Sequence, residues 1–392
     1  MKTELLNWQK ECKKNWIDNQ CRGIVVGSTG IGKTILAISC MEHLDTKTLV
    51  VVPKVALLKQ TVDEIKKELN LTDEDIGLFY GNKKELKRIT VAVINSIRDM
   101  QVDYYFKLIV LDEIHNYGSK TALNFLKKNQ FEYTLGLTAT IHREDNKEED
   151  LIEIIGKVIY QKDLNEAVNE GYLSKYELIN KRVELTPEEK DKYYKYTDDI
   201  SKGIRYFGGL EQAKKYLGHN NAYGTTAKQM FDSIQRRKGL LNKALSKIIT
   251  VTNIVLKNRE KKIIIFNETI EVAEEIKNRL LNLGMKVGIY HSKSSNISAI
   301  ESYKSGENNI LISVKSLDEG LNVKDAEIAI IVAGNRTSRQ ILQRLGRILR
   351  KHGDKVAKVY QLYCKNTVEE NTISKRTKLL EDSAIIKGGD EE

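Results

Sequence analysis

The sequence predicts an α/β protein built on two parallel β-sheets. Short runs rich in β-branched residues alternate with amphipathic stretches, and this alternation occurs once in each half of the chain. Such runs between polar segments are typical of buried parallel strands, and strands that alternate with helices are typical of a doubly wound sheet. The segment between the two halves has no β-branched run, so we expect two α/β domains and a helical insertion.

The first half is predicted to contain five buried strands with helices between them. Residues 57–69 have the apolar spacing of a helix, and the predicted strands are 24–26, 49–52, 91–94, 108–111 and 135–137. The second half repeats this order, with a connecting helix over 271–281. Its predicted strands are 263–266, 287–290, 310–313, 328–332 and 359–363.

The middle segment is predicted to be helical. Thr186-Pro187-Glu188-Glu189 has the signature of a helix start, with a capping residue, a proline in the first turn and early acids. Eight of the 18 tyrosines lie between Tyr172 and Tyr223, and Arg236-Arg237-Lys238 adds a basic cluster. Gly208-Gly209 is expected to interrupt the helix. This composition fits a nucleic-acid-binding arm as well as a packing subdomain with solvated charges.

These observations divide the chain into five segments. We expect a first domain over residues 1–168, followed by a connector with the first strand of the second domain at 169–185. The helical insertion is placed at 186–247 and associated with the second domain, which continues over 248–375. A flexible polar tail is expected at 376–392.

Composition excludes several classes of protein. The chain has 392 residues, of which 41% are hydrophobic and 30% charged, as in soluble globular proteins. No apolar run approaches the ~18 residues of a membrane span, and the N-terminus lacks an apolar signal core. The four cysteines form no CxxC pair, so we expect reduced thiols in a cytoplasmic or nucleoid-associated protein of a bacterial or phage-infected cell. The net charge of +10 suits a polyanionic partner, although solvated surface charge is the alternative.

Residues 27–34 match the phosphate-binding pattern GxxxxGK(S/T) without a mismatch. They follow a predicted strand and precede a helical stretch, which is the context that the motif requires. Backbone N–H groups and the helix N-terminus would surround the phosphates of ATP. Lys33 can reach the β- and γ-phosphates, and the Thr34 hydroxyl can ligate Mg²⁺. The other predicted nucleotide-binding residues of this loop are Ser28, Thr29, Gly30 and Gly32.

An acidic pair follows the predicted strand 108–111. Asp112 is predicted to hold Mg²⁺ through its water shell, and Glu113 is predicted to polarise the attacking water. Two solvated turn acids are the alternative. A phosphate loop alone would also fit a small-molecule kinase, so later motifs must decide between the classes.

Two later motifs are Asp112-Glu113-Ile114-His115 and the string Gln343 to Arg350. They are similar to motifs II and VI of superfamily 2 helicases of the DExH type, which the chain resembles from about residue 5 to residue 363. The other matching segments are Trp8-Gln9 (glutamine motif), 51–60 (motif Ia), 137–140 (motif III) and 318–323 (motif V).

Two further features resemble the XPB-like branch. Arg143-Glu144-Asp145 follows motif III and matches the RED signature of that branch, and the helical insertion stands where the branch carries its thumb. The resemblance implies two tandem RecA-like domains and a minimal, phage- or plasmid-type motor without the extra N-terminal domain of larger members.

The resemblance also assigns roles to residues. Gln9 would contact adenine and Asn322 a ribose hydroxyl. Gln343, Arg347 and Arg350 would complete the ATP site, with the two arginines as fingers on one helix face and Arg344 as a surface residue. Thr138 and Thr140 would couple hydrolysis to the nucleic-acid side. The predicted nucleic-acid contacts are Lys54, Ser96, Arg143, Arg236, Arg237, Lys238, His291, Ser313 and Lys315.

The sequence thus predicts an ATP-dependent DNA helicase or translocase that uses ATP and Mg²⁺. It would act as a monomer on single-stranded, forked or branched DNA in repair, replication or recombination, and an accessory protein partner is compatible with it. Three alternatives stay open: a nucleic-acid-stimulated ATPase clamp or remodelling subunit that does not unwind, an RNA helicase, and a small-molecule kinase with a phosphate loop.

Overall fold

The computed structural model describes residues 1–97, 102, 105–139, 148–291, 297–314, 326–332, 356–380 and 384–387. The described residues divide into two compact units, the first from Met1 to Lys175 and the second from Tyr176 onward. Each unit is built on one largely parallel sheet, which confirms the predicted α/β class. Among the described helices, none has the length and apolar character needed to cross a membrane.

The first unit alternates strands and helices. After α1 (Asn7–Asp18) it contains β1 (Arg22–Gly27), α2 (Lys33–Leu44), β2 (Thr48–Val52), α3 (Val55–Leu69), β3 (Ile76–Tyr80), β4 (Lys83–Lys84), β5 (Ile89–Val93) and α4 (Ile94–Ile97). It continues with β6 (Leu108–Asp112), a 3₁₀ helix (Ile114–Tyr117), α5 (Lys120–Lys128), β7 (Tyr133–Thr138), α6 (Glu148–Ile155), β8 (Val158–Lys162) and α7 (Leu164–Asn169). The five predicted strands are all present.

The first sheet has eight strands in the order β4-β3-β5-β2-β6-β7-β1-β8. All neighbours are parallel except the short β4, which runs antiparallel to β3. The strands β2 and β6 are buried along nearly their whole length because helices cover both faces of the sheet. Parallel strands end at one edge, so the loops after β1, β2, β5, β6 and β7 share the carboxyl edge, where α/β sheets bind ligands.

The second unit begins with β9 (Tyr176–Val183) and three helices, α8 (Pro187–Phe207), α9 (Leu210–Lys214) and α10 (Ala222–Lys243). The remaining elements are α11 (Leu245–Lys257), β10 (Ile263–Asn267), α12 (Ile270–Asn282), β11 (Val287–His291), α13 (Ile297–Ser305), β12 (Ile310–Val314), β13 (Ile328–Ile331), β14 (Ala357–Cys364), α14 (Glu369–Leu380) and β15 (Ala384–Lys387). Its seven parallel strands stand in the order β11-β12-β10-β13-β14-β9-β15.

Helices α8, α9 and α10, hereafter the arm, follow from local signals in the sequence. Thr186 caps α8 as predicted, because its Oγ1 accepts from Glu189 N and its own N–H donates to the Glu189 side chain. Helix α8 ends at Gly208, whose φ of 73° is left-handed. Gly203 lets α8 approach α10 closely, since a Cβ there would stand 2.5 Å from Met230 Sδ.

Two differences from the sequence analysis concern boundaries. The first unit extends to Lys175, beyond the expected boundary at 168, because the buried Leu173 stays attached to α7 through its N–H, which donates to Ala167 O. The tail expected to be flexible from residue 376 instead continues α14 to Leu380, and Ala384–Lys387 pairs in parallel with the first residues of β9. The apolar Ala384-Ile385-Ile386 has strand character, and β9 offers it an unpaired edge.

Candidate ATP and nucleic-acid sites

The predicted ATP-site residues of the first unit lie at the ends of three neighbouring strands. The order β6-β7-β1 sets the acidic pair, Thr138 and the phosphate loop side by side. In the register of the sheet, Asp112 of β6 is opposite Leu137 of β7, and Thr138 is opposite Val26 of β1. The sheet therefore brings together residues that are more than a hundred positions apart in the sequence.

The phosphate loop has the backbone that its glycines predict. Gly30 and Gly32 have φ values of 95° and 99°, which L-residues with side chains rarely adopt. Gly32 caps α2, which begins at Lys33, so the positive end of the helix dipole faces the loop. A Cβ on Gly27 would stand 2.7 Å from Ile31 Cδ1, so the loop also needs glycine for packing.

Two polar side chains of the loop fit a phosphate ligand. Lys33 is buried, and its ammonium donates to the carbonyl oxygens of Gly27 at 2.6 Å and Ser28 at 3.3 Å. The Thr29 hydroxyl is buried and finds no hydrogen-bond partner among the described residues. A buried polar atom without a partner is costly, and phosphate oxygens would provide one. The loop is thus suited to a polyphosphate such as that of ATP.

Gln9 is attached to the phosphate loop by its side-chain amide. Its Nε2 donates to Gly32 O at 2.9 Å, and its Oε1 accepts from Leu6 N at 2.8 Å. Both amide atoms therefore bind protein in this structure, and the predicted adenine contact stays a prediction. The observed contact makes Gln9 a positioning residue for the loop.

The acidic pair has an unusual backbone. Glu113 has φ 52° and ψ 57°, a left-handed conformation that costs a non-glycine residue about 1–3 kcal/mol and is common at functional sites. Its side chain is only 14% exposed, and its Oε2 accepts no hydrogen bond from any described residue. The Asp112 carboxylate accepts from Glu113 N at 3.0 Å, which orients it at the strand end.

His115 connects the acidic pair to the next strand. Its Nδ1 lies 3.4 Å from Glu113 Oε2 and 3.3 Å from Thr138 Oγ1. Only the second contact has hydrogen-bond geometry, and the direction of donation depends on the tautomer of the ring. The contact joins His115 to Thr138, and the coupling role of Thr138 stays a prediction.

Tyr117 supports the acidic pair from within the core, and the sequence analysis missed it. Its hydroxyl donates to Val51 O at 2.8 Å, so it joins the segment after β6 to β2. Burial, and next the charges of Asp112 and Glu113, raise the pKa of Tyr117 well above its usual value. It therefore stays protonated and keeps donating. No sequence motif marks it, although a tyrosine four residues after a strand-end acid pair is a usable signal.

The described residues fit Mg²⁺ bound mainly through phosphates. Thr34 is the second residue of α2, beside the loop, and Asp112 supplies one carboxylate at the end of β6. No group of three or more His, Cys, Asp or Glu side chains suited to hold a metal ion occurs in the described part of the chain. Mg²⁺ typically takes one or two protein oxygens and completes its shell with water and phosphate.

The predicted nucleic-acid contacts of the first unit follow the same edge away from the ATP site. Lys54 caps α3 after β2 and is exposed, and Ser96 lies in α4 after β5. The next strand outward is β3, and after a short turn the exposed Lys83 and Lys84 form β4. The sequence analysis missed these two lysines because it did not predict β3. Their adjacency to Gly81-Asn82, a turn signal, could have indicated a hairpin.

The predicted nucleic-acid contacts of the second unit differ from one another in exposure. His291 ends β11 and is partly exposed. Ser313 of the neighbouring β12 is 1% exposed, which differs from the open phosphate contact predicted for it, because its strand is covered on both faces. Ser313 pairs with Tyr290 and Phe266 in the middle of the sheet.

The basic cluster of the arm is partly engaged with protein. Arg237 Nη1 donates to Thr197 Oγ1 at 3.3 Å, which joins α10 to α8. Lys238 Nζ lies 3.4 Å from the buried carboxylate of Glu268, directly after β10. Arg236 is exposed beside a cleft of about 520 Å³ that also contains Asp199 and Asp232. The cluster therefore lies at the base of the arm, near the carboxyl end of β10.

The other predicted site residues lie outside the described residues, and nothing structural is added to them. They are Thr140, Arg143, Lys315, Asn322, Gln343, Arg347 and Arg350.

Two family models match the chain. The model described as type III restriction enzyme, res subunit, matches residues 2–143, and the model described as helicase conserved C-terminal domain matches residues 243–352. The first match contains the phosphate loop and the acidic pair. The second contains the residues predicted to complete the ATP site.

Known proteins resemble almost the whole chain. The DNA 3'-5' translocase XPB2 of Sulfurisphaera tokodaii is 32% identical over 380 residues, which cover 94% of this chain and 83% of that protein. The putative DNA 3'-5' helicase Rad25 of Haloarcula marismortui is 26% identical over 96% of this chain, which spans 55% of that protein. The crystal structure of the Pyrococcus furiosus Hef helicase domain has a similar fold, with a TM-score of 0.60 at 18% identity, covering 94% of this chain and 96% of that one.

Proposed function

The chain belongs to the XPB-like branch of superfamily 2, a branch of ATP-dependent DNA helicases and translocases, and we propose that it couples ATP hydrolysis at the first sheet to movement on DNA. Two relatives are named for 3'-5' activity, and we propose the same polarity. We further propose that it acts in the cytoplasm or on the nucleoid as a monomer on single-stranded, forked or branched DNA.

The observation that carries the hydrolytic role is the buried carboxylate oxygen of Glu113 that accepts no hydrogen bond from a described residue. A general base needs an acceptor free to take a proton from water, and Glu113 Oε2 is buried without a hydrogen-bond donor among the described residues. The left-handed backbone of Glu113 supports this role, because strained conformations of this kind cluster at active sites. In this proposal Glu113 takes the proton while Lys33 stabilises the γ-phosphate.

Each of the remaining groups would have its own role in phosphoryl transfer. Mg²⁺ would neutralise the developing phosphate charge while Thr34 and Asp112 hold it, and the loop N–H groups would bind the β- and γ-phosphates. Gln9 would hold Gly32, and through it the loop, in the binding conformation. Gln343, Arg347 and Arg350 are proposed to complete the site, with Asn322 on the ribose.

The DNA is proposed to follow the carboxyl edges of the sheets. On the first sheet the contacts would be Ser96 and the lysines Lys54, Lys83 and Lys84, which succeed one another on the strand ends of β2, β5 and β3. Neighbouring strands are about 4.8 Å apart, so this row spans about 10 Å. Because lysine binds the backbone rather than the bases, affinity would depend on salt and little on sequence.

The decisive test is the substitution Glu113→Gln. It should lower DNA-stimulated phosphate release by about 10²–10⁴-fold, because glutamine cannot accept the proton. ATP affinity, measured with a fluorescent ATP analogue, should persist because Lys33, Thr34 and Asp112 remain. The matched control is Glu74→Gln, an exposed carboxylate of the first unit away from the carboxyl edge. Full turnover by Glu113→Gln would contradict the proposal.

Two assays on the parent protein distinguish the alternative functions. Phosphate release measured with single-stranded, duplex and forked DNA and with RNA identifies the polymer that stimulates it. Strand displacement distinguishes a helicase from a translocase or remodelling subunit, which would hydrolyse ATP on DNA without separating strands.

A further inference from the structure

The outer end of the arm carries a cluster of five rings in mutual contact. Tyr216 is at its centre, with ring centroids 5.4 Å from Phe207, 5.3 Å from Tyr223 and 5.8 Å from His219. Tyr206 closes the cluster, 4.9 Å from Phe207 and 5.8 Å from Tyr223. The rings therefore fix one another before any ligand arrives, and little side-chain freedom remains to be lost on binding. We call residues 204–223 the tip of the arm.

These rings are on the surface, although ring clusters of this size are usually buried. Tyr206 is 56% exposed and Tyr223 48% exposed, and three aliphatic residues beside them are similarly open. These are Ile204, Leu210 and Leu217. Exposed apolar patches of this kind are typical of binding sites. Tyrosine is suited to such sites because its ring stacks while its hydroxyl remains hydrated.

The backbone holds the tip in this form. Gly208 and Gly209 have φ values of 73° and 143° and turn the chain directly after the first two rings. The chain turns again before α10, where Asn221 caps the helix because its Oδ1 accepts from Gly224 N at 2.9 Å. The rings come from the end of α8, the segment after α9 and the start of α10, so the cluster depends on the folded arm.

The charge at the tip indicates what binds there. Arg205, Lys214 and Lys215 are exposed, and Glu211 is the single acid between residues 204 and 223. Arg205 and Lys215 have no ion pair in the part of the chain that the structure describes, and Lys214 is 3.8 Å from Glu211. Flat aromatic faces with exposed cations nearby match a ligand with flat rings and a polyanionic backbone. Single-stranded nucleic acid has that chemistry.

The base of the arm differs from the tip in this respect. Arg237 and Lys238 are engaged with Thr197 and Glu268, whereas the ring-to-ring contacts described above join residues of the tip. Arg236 lines the same cleft as Tyr206, so the base and the tip adjoin there.

We propose that the tip of the arm is a base-stacking site for unpaired nucleotides, with Tyr206 and Tyr223 as the stacking rings and Lys214 and Lys215 on the adjacent phosphates. The site rests on the proposed function in one respect, which is that nucleic acid is the track. It adds a preference for DNA with unstacked bases, such as the single strand at a fork. Every base has a face that can stack, so the site would bind unpaired bases regardless of their identity.

The test is a binding titration without nucleotide, using a labelled thymidine oligonucleotide and one of equal length built from abasic sites. The double substitution Tyr206→Ala with Tyr223→Ala should weaken binding of the thymidine strand by about 5- to 150-fold per stacked base. Binding of the abasic strand, which has the same charge but no bases, should be unchanged. The slope of affinity against salt should also be unchanged, because no cation is removed.

Two further variants keep the test falsifiable. Tyr206→Phe with Tyr223→Phe retains the rings and should bind as the parent does. Tyr194→Ala removes a ring of the same helix that is 49% exposed but lies outside the cluster, and it should also be neutral. Circular dichroism and thermal melting check that each variant folds.

Equal losses on both strands, or none on either, would overturn the proposal, and the second result would favour a protein-docking surface instead. Since the titration contains no ATP, it gives its answer whether or not Glu113→Gln behaves as expected.

Discussion

The phosphate loop and the tip of the arm are built in opposite ways. The loop takes nearly all its binding groups from the backbone of residues 27–34, it is largely buried, and its glycines allow the turns. The tip takes its groups from side chains of three separate segments, and its rings are exposed. A site formed by one short piece of backbone leaves a continuous motif in the sequence. A site formed by scattered side chains leaves only a bias in composition.

The largest expected effect tests whether the carboxyl edge of the first sheet, which carries the phosphate loop, is sufficient for ATP hydrolysis. Arg347→Ala and Arg350→Ala should each lower turnover by about 10³–10⁵-fold while ATP affinity changes far less, because a finger stabilises charge that develops in the transition state. Phosphate release and ATP binding are measured on the same preparations. Arg344→Ala, in the same segment, is the matched control and should keep near-parental turnover. Normal hydrolysis by both finger variants would show that the first sheet works alone.

The second prediction compares one left-handed glycine from each region. At Gly32 a Cβ would stand 2.8 Å from Gln9 Nε2, and φ is 99°, so Gly32→Ala should strain the loop and break its contact with Gln9. ATP affinity should fall by about 30-fold or more. At Gly208 a Cβ would meet nothing within 4 Å, so Gly208→Ala should cost only about 1–2 kcal/mol of stability from its φ of 73°.

Those two variants are measured by ATP titration and by thermal melting. The comparison would fail if Gly208→Ala impaired ATP binding as much as Gly32→Ala does, because the loop would then not be the more constrained region.

The smallest expected effect concerns the cations of the arm. Lys214→Ala with Lys215→Ala should reduce the slope of log affinity for single-stranded DNA against log salt by about 0.7 per lost contact. Replacing Arg236, Arg237 and Lys238 together should weaken DNA binding and flatten the slope, but by less than three free contacts would, because Arg237 and Lys238 already bind protein. A larger change from the triple variant would place the main phosphate contacts at the base of the arm.

Much of the fold could be predicted from the sequence because its signals are local. The buried strands are runs rich in β-branched residues, and the start of α8 is a capping box in which Thr186 and Glu189 bind each other. The strands β3, β8 and β15 were not predicted because their local signals are weaker. Each lies at or near a sheet edge, where β8 is only partly buried, and an apolar run this short does not predict a strand by periodicity alone.

The candidate site divides in the same way. Lys33, Asp112 and Glu113 could be identified because strand, loop and helix follow one another along the chain. The contact of Gln9 with Gly32 could not, because the tertiary fold joins residues 23 positions apart, and the resemblance alone favoured adenine. The basic string Arg236-Arg237-Lys238 was visible as charge, but only the fold reveals that two of its members have partners.

The parallel pairing of β15 with β9 has a consequence for handling the protein. Without Ala384–Lys387, the first four residues of β9 would leave a row of backbone groups unpaired at the rim of the second sheet. Such rims recruit strands from other molecules and lead to aggregation. We therefore expect Ala384–Lys387 to protect the protein from aggregation, and a truncation before residue 384 should be judged first by light scattering at high concentration.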